Sequence, residues 1–285
     1  MKKVSFILSV FSIFISTCSY AQITIEKPIE KVNKEKIEEV KYDSLSNINK
    51  ANIMSLKGQT IFVKGTPYAK ENGFRFLFYE KKGFPSDRHK GKLYKQIITK
   101  KNGYEQEYTP YDSVAGKYLV IKDIYQLHTG SYDNEYDYCL LLKNEEDSLY
   151  CYMDKRDVSN EADNFIILGY YEKLKEKYVG KKFKATGRNK FSKFGTEEKI
   201  DITPGTTFRC VDITITLADY NGIYAVLENS SIGKIKAEIS EDGIPIDVID
   251  INYFNQLVKK YGTQYANLII AKQVKIGMTK QMALE

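Results

Sequence analysis

The sequence predicts a mainly β protein of the α+β class: two tandem small twisted β-barrel or meander modules, each followed by a short amphipathic helix. The first observation behind this is a repeated hairpin pattern. Tyr138–Asp154 and Tyr224–Ser240 align without gaps at an offset of 86, pairing Leu140 with Val226, Leu141 with Leu227, Leu149 with Ile235 and Met153 with Ile239. Each stretch is an apolar run, a polar turn and an alternating strand, as expected for a hairpin with one face in a core. The second observation is a pair of glycine-led strands ahead of each hairpin. Gly58–Gly65 matches Gly180–Gly187, and Gly116–Ile124 matches Gly205–Ile213. The third is a helix after each hairpin. Tyr171, Leu174 and Tyr178 recur as Phe254, Leu257 and Tyr261 at spacing i, i+3, i+7, one helical face. Gly180 and Gly262 then stand where a glycine ends a helix.

In chain order, Met1–Ala21 comes first and reads as a secretory signal peptide. Lys2 and Lys3 precede an apolar run from Val4 to Ile15, and Ser19-Tyr20-Ala21 places small residues at the cleavage positions before Gln22. Two processing readings stand: cleavage after Ala21, or acylation at Cys18 through the lipobox-like Ile15-Ser16-Thr17-Cys18. Residues 22–54 form a charged N-terminal segment, within which Glu26–Lys50 reads as a surface helix or tether. The first β module and its helix span 55–178, the second 179–262, and 263–285 is a C-terminal helical segment. Asn221-Gly222 supplies a tight turn that makes the second module a three-stranded meander. The first module carries an insertion, 66–115: 50 residues separate Gly65 from Gly116, against 17 between Gly187 and Gly205.

Composition narrows the function classes. The 264 residues after the signal suit two modest cores, and no later apolar run reaches the ~18 residues of a membrane helix. That portion holds 41 basic and 37 acidic residues, a net of +4, far below a nucleic-acid reader. Tyr is abundant (23) and Trp is absent, which suits half-buried strands and argues against a Trp sugar platform. No nucleotide loop, hydrolase elbow or paired-Cys/His zinc motif occurs, and His89 and His128 are the only histidines. No cofactor, metal or nucleic acid is expected. Asp133–Asp137 lacks the ligand pattern of a calcium loop and reads as a solvated hairpin tip.

Three cysteines follow the signal. With a turn centred on Glu145, Cys139 and Cys151 face each other across the first hairpin. Two readings stand: a cross-strand disulfide, allowed in an oxidising compartment, or two small buried residues, since Ala225 and Ala237 align with them. Cys210 aligns with Ile121 and reads as core. Charge is concentrated in the insertion. Lys81–Lys101 has eight basic residues and one acid, Asp87. It would bind an anion, with Arg88, Lys90 and Lys92 as contacts, or simply keep an edge hairpin soluble.

The final Ile276-Gly277-Met278-Thr279-Lys280-Gln281-Met282-Ala283 is similar to the Gly-Met-Thr helix start of the small SmpA/OmlA-type outer-membrane-assembly lipoproteins. Thr279 is placed to cap that helix, and the chain stops soon after it, as a truncated frame would. The glycine-led strands, meander and helix resemble Src-homology-type small barrels of exported bacterial proteins, a resemblance that implies recognition of peptides or wall fragments without catalysis. The expectation is therefore a non-catalytic exported protein, periplasmic or secreted. It would recognise an envelope protein or an anionic glycan or lipid headgroup. The alternative is an accessory or regulatory part of a secreted hydrolase whose catalytic part lies outside this chain.

Overall fold

The structure, a computed structural model, describes residues 41–82, 91–101, 103–128, 136–154, 158–187, 189–196 and 198–285. It is mainly β, with two curled half-barrel sheets and five α-helices among the described residues. The first sheet comprises β1 (Thr60–Val63), β2 (Phe78–Tyr79), β5 (Tyr118–His128), β6 (Tyr136–Lys143), β7 (Ser148–Met153) and β8 (Phe165–Ile167). Helix α1 (Pro67–Asn72) precedes β2, and β3 (Ile97–Lys101) and β4 (Tyr104–Tyr108) form a separate hairpin. Helix α2 (Val158–Ala162) leads into β8, and α3 (Leu168–Tyr178) follows it. The second sheet comprises β9 (Lys182–Ala185), β10 (Asn189–Lys193), β11 (Lys199–Ile202), β12 (Thr207–Ile215), β13 (Ile223–Asn229), β14 (Gly233–Glu238) and β15 (Val248–Asp250). Helices α4 (Ile251–Ile270) and α5 (Lys280–Leu284) complete the chain.

The sheets share a strand order: β2-β7-β6-β5-β1-β8 in the first and β10-β14-β13-β12-β9-β15 in the second, where β11 adds one further edge strand. The matching glycines make matching bonds at positive φ. Gly58 N–H donates to Ile121 O (2.7 Å) and Gly180 N–H to Cys210 O (2.8 Å); Gly116 donates to Val63 O and Gly205 to Ala185 O. Only glycine takes these left-handed angles cheaply, which is why the strands are glycine-led. A register shift falls between Ile121 and Asp123 in β5 and between Cys210 and Asp212 in β12. The carboxylates of Asp123 and Asp212 each accept from the next amide at this bulge.

Both sheets feed one continuous apolar core, from Ile53, Leu56 and Ile61 to Phe208, Leu227 and Ile235. The expected helical faces pack there or beside it: Leu174 and Tyr178 on α3, Phe254 and Leu257 on α4. Gly262 stops regular helix as expected, with φ 79, but the chain turns helical again beyond it. Of the expected tether, residues 41–50 are described and are not held off the fold. Tyr42 and Ile48 are buried, and the Asn47 side chain bonds the backbone of Phe165 and Ile167 along the β8 edge. A polar amide substitutes there for a neighbouring strand.

Two other local expectations change. Asn221-Gly222 ends a seven-residue loop, Thr216–Gly222, rather than forming a two-residue turn, because Asp219 organises the loop by accepting from both amides. The insertion is not wholly absent from the second half. Its β2 pairs with β7 where β10 pairs with β14; among the described residues the surplus includes α1, the β3–β4 hairpin and the turn Tyr111–Ser113.

Candidate functional site

Lys64, just after β1, is one junction of the two sheets. Its backbone carbonyl accepts from Ala218 N–H (3.0 Å) and from the Tyr111 hydroxyl (2.9 Å). Its side chain is only 1% exposed, and Nζ donates to the carbonyls of Asp219 and Tyr220, the latter at 2.8 Å. Gly222 lets it pass: a Cβ there would sit 2.5 Å from Lys64 Cδ. Burial lowers the Lys64 pKa to about 8, opposed by the nearby carboxylates of Asp163 and Asp219. At neutral pH it is still a cation, with two of its three N–H bonds given to carbonyls.

Beside Lys64 lies a cleft of about 290 Å³ lined by the Asn47 region, Asp163, Tyr170, Tyr220 and the 239–242 strand end. Tyr170, on the first turn of α3, is 3% exposed as a residue and lines the cleft. Burial, with Tyr178 and Asp242 nearby, pushes its pKa up to about 12, so it is a neutral donor. The rim carries Asp163, Glu241 and Asp242. The cleft thus offers two donor side chains, Lys64 and Tyr170, under an acidic mouth, which suits a polar ligand with acceptors inside and a hydroxyl or cationic group outside.

A second opening sits at the matching place on the second sheet. Thr186 matches Lys64, Ile249 matches Ile166, and Tyr253 matches Tyr170. The cavity there, about 300 Å³, lies between α4 and the C-terminal segment, with Leu257, Ile270, Met278 and Met282 in its walls. Tyr253 is not free: its hydroxyl donates to the Glu285 carboxylate at 2.8 Å, joined by Lys260 Nζ (2.8 Å) and Tyr261 OH (3.0 Å). These donors hold the Glu285 carboxyl down at about 2, Lys260 most of all. The matching α3 groups, Lys177 and Tyr178, both donate to the Gly243 carbonyl.

Of the residues singled out from sequence, the described Lys92, Cys139 and Cys151 line neither cavity. Arg88 and Lys90, with His89, lie outside the described residues, as do Met1–Ala21 with Cys18, and residues 133–135 of the acidic stretch. Asp137, which closes that stretch, is buried. Lys92 is described and is paired with Glu80 at 2.9 Å. The remainder of the insertion is fastened by Asp147 in the β6–β7 turn, which accepts from Tyr94 OH, Lys95 (3.3 Å) and Lys117 (2.6 Å). Burial alone would raise this carboxyl, but the Lys117 and Tyr94 hydrogen bonds bring it down to about 2.

The cysteine pairing is corrected by register. Lys143 pairs with Ser148, so the turn has four residues and Cys139 faces Tyr152, while Cys151 faces Leu140. The two thiols point to opposite faces, Cys151 into the main core and Cys139 into an outer aromatic cluster with Tyr79 and Tyr152. Both are buried and neither is in a disulfide, and burial pushes the Cys139 thiol up to about 12. Cys210 is likewise in no disulfide and sits in the core. The second hairpin turns in three residues, between Asn229 and Gly233. The gap-free alignment is therefore one residue out before the turn, where Leu140, not Cys139, matches Ala225.

Lys64 and Tyr170 escaped sequence reasoning, although a signal existed. Tyr170 and Lys177 recur as Tyr253 and Lys260 at the same 83-residue offset as the apolar helix positions. No family model, curated protein or solved structure matches this chain.

Proposed function

We propose that the chain is a non-catalytic exported binding protein of the bacterial cell envelope, and that its ligand is held in the cleft beside Lys64. The two sheets are then tandem copies of one small β module, a reading supported by their common strand order and matching glycine bonds. The observation that carries the binding role is the lining of one cleft by the buried Lys64 and by Tyr170, beneath the carboxylates of Asp163, Glu241 and Asp242. A binding role without catalysis is favoured by the thiols, since all three described cysteines are buried and the Cys139 and Cys210 thiols are pushed up, which removes their nucleophilic form. The basic insertion is the second surface to test, although Lys92 already has Glu80.

Co-sedimentation with isolated cell-wall sacculi and with envelope vesicles tests the proposal. Asp242 is exposed at the rim, so Asp242→Arg leaves the fold intact. It should weaken retention about tenfold, or ~1.4 kcal/mol. The Arg88→Glu/Lys90→Glu/Lys92→Glu variant should bind as the parent does. The reverse pattern moves the site to the insertion, and no retention of the parent chain rejects an envelope ligand.

A further inference from the structure

The clamp on α4 points to an interaction surface independent of the cleft. Tyr253, Lys260 and Tyr261 stand at i, i+7 and i+8 on one face and close three donors on a single carboxylate. Beside them runs the apolar cavity walled by Ile249, Leu257, Ile269 and Ile270. Together they form a groove that reads two things: apolar side chains, and one side-chain carboxylate beside them.

The chain's own C-terminal segment occupies this groove, and its fit is poor. Thr279 caps α5 by accepting from Met282 N–H, yet no residue of α5 is buried. Val274 and Leu284 are more than three-quarters exposed. About 300 Å³ remains open beneath Met278 and Met282. Voids of this kind forfeit the dispersion contacts that hold a segment down. The segment is fastened mainly by the Glu285 carboxylate, and a five-residue helix has little stability of its own.

We propose that this groove is a receptor for a short amphipathic helix of a partner protein that carries bulky apolar residues followed by a Glu or Asp, and that residues 274–285 are a displaceable internal occupant. The occupant displays the chemistry recognised: methionines on the apolar wall, an acid on the clamp. Being tethered, it competes at high effective concentration, so a partner gains access only by filling the cavity better. Charge selects the ligand's sign, because Lys260 and two phenols offer donors and no acceptor charge.

The test uses the full-length chain and two labelled peptides by fluorescence anisotropy. One carries the Lys275–Glu285 sequence, the other the same sequence with Leu for Ala283. Glu285→Gln in the protein unfastens the internal segment, so both peptides should bind this variant about tenfold tighter than the parent chain. The Leu peptide should bind tighter than the native one. Lys260→Met added to Glu285→Gln should abolish binding while the thermal midpoint holds, and a peptide with Gln for its final Glu should not bind. Equal affinity for parent and variant, indifference to the peptide's acid, or no binding to either protein would each overturn the proposal.

Discussion

On α3, Lys177 and Tyr178 both donate to the Gly243 carbonyl; on α4, the matching Lys260 and Tyr261 join Tyr253 on the Glu285 carboxylate. At the same helical spacing the Lys–Tyr pair thus meets different acceptors, and the preceding tyrosine shares that acceptor on α4 alone. The difference lies in what covers each helix start. The α3 site is roofed by the 239–242 segment of the second sheet, whereas the α4 site is roofed by residues that follow α4 itself. A shared scaffold therefore fixes where donors stand, and the neighbouring chain decides what they hold. The same contrast holds at the end of β1 and β9. Lys64 reaches across to the 219–220 carbonyls, while Thr186, its counterpart, borders the α4 cavity.

The sharpest way to separate the halves is at the hairpin turns. Asp147→Ala leaves Lys117 and Tyr94 facing a lost buried carboxylate and should destabilise the protein by about 3 kcal/mol in urea unfolding. Ser231→Ala, in the exposed turn of the second hairpin, should stay within about 0.5 kcal/mol. If both turns respond alike, the insertion is not anchored through Asp147. Next come two glycines of equal conformation. Gly222 (φ 71) would place a Cβ against Lys64, and Gly233 (φ 88) has nothing within 4 Å. Gly233→Ala should therefore cost about 1 kcal/mol from backbone strain alone, and Gly222→Ala about 2 kcal/mol or more by the same assay.

A smaller effect should appear with pH. The Lys64 pKa falls from 10.5 to about 8 on folding. Between these values the unfolded chain binds the proton and the folded one does not, so stability rises with pH from about 8 to 10.5 and the burial penalty is fully present below 8. Lys64→Met should lose that rise relative to the parent chain, while Thr186→Val should keep it. The last comparison should yield no difference at all. Alkylation without reductant of unfolded protein processed after Ala21 should label Cys139, Cys151 and Cys210 alike. A protected Cys139–Cys151 pair would mean that the hairpin register is wrong.

Much of the fold was legible because its signals are local. Gly58, Gly116, Gly180 and Gly205 announce positive φ, and Thr279 announces a cap, each by a requirement that few residues meet. The one-residue difference between the hairpin turns was not legible, since Leu140-Leu141-Leu142 reads as apolar in either register and only the partner strand decides which side chains face inward. The site was less accessible still. Lys64 follows an apolar strand like any solvated lysine. Its burial depends on a loop 155 residues away, and no local pattern encodes that meeting. The 41–50 stretch misled for the opposite reason. Its polar Asn47 and Asn49 look like surface, but Asn47 serves as a backbone substitute at a sheet edge and Asn49 ties the local turn by accepting from Ala51 N–H.

The strands of the two sheets never interleave: all of the first sheet lies between residues 60 and 167 and all of the second between 182 and 250. For a polypeptide that emerges from a pore starting at its N-terminus, this is a schedule. The first sheet's final strand, β8, arrives before the first residue of β9, so that sheet can close without waiting for its neighbour. The Lys64 side chain must then wait, with its ammonium uncovered, until the 219–220 loop appears. Its burial marks the moment when the second sheet's loop reaches the first sheet.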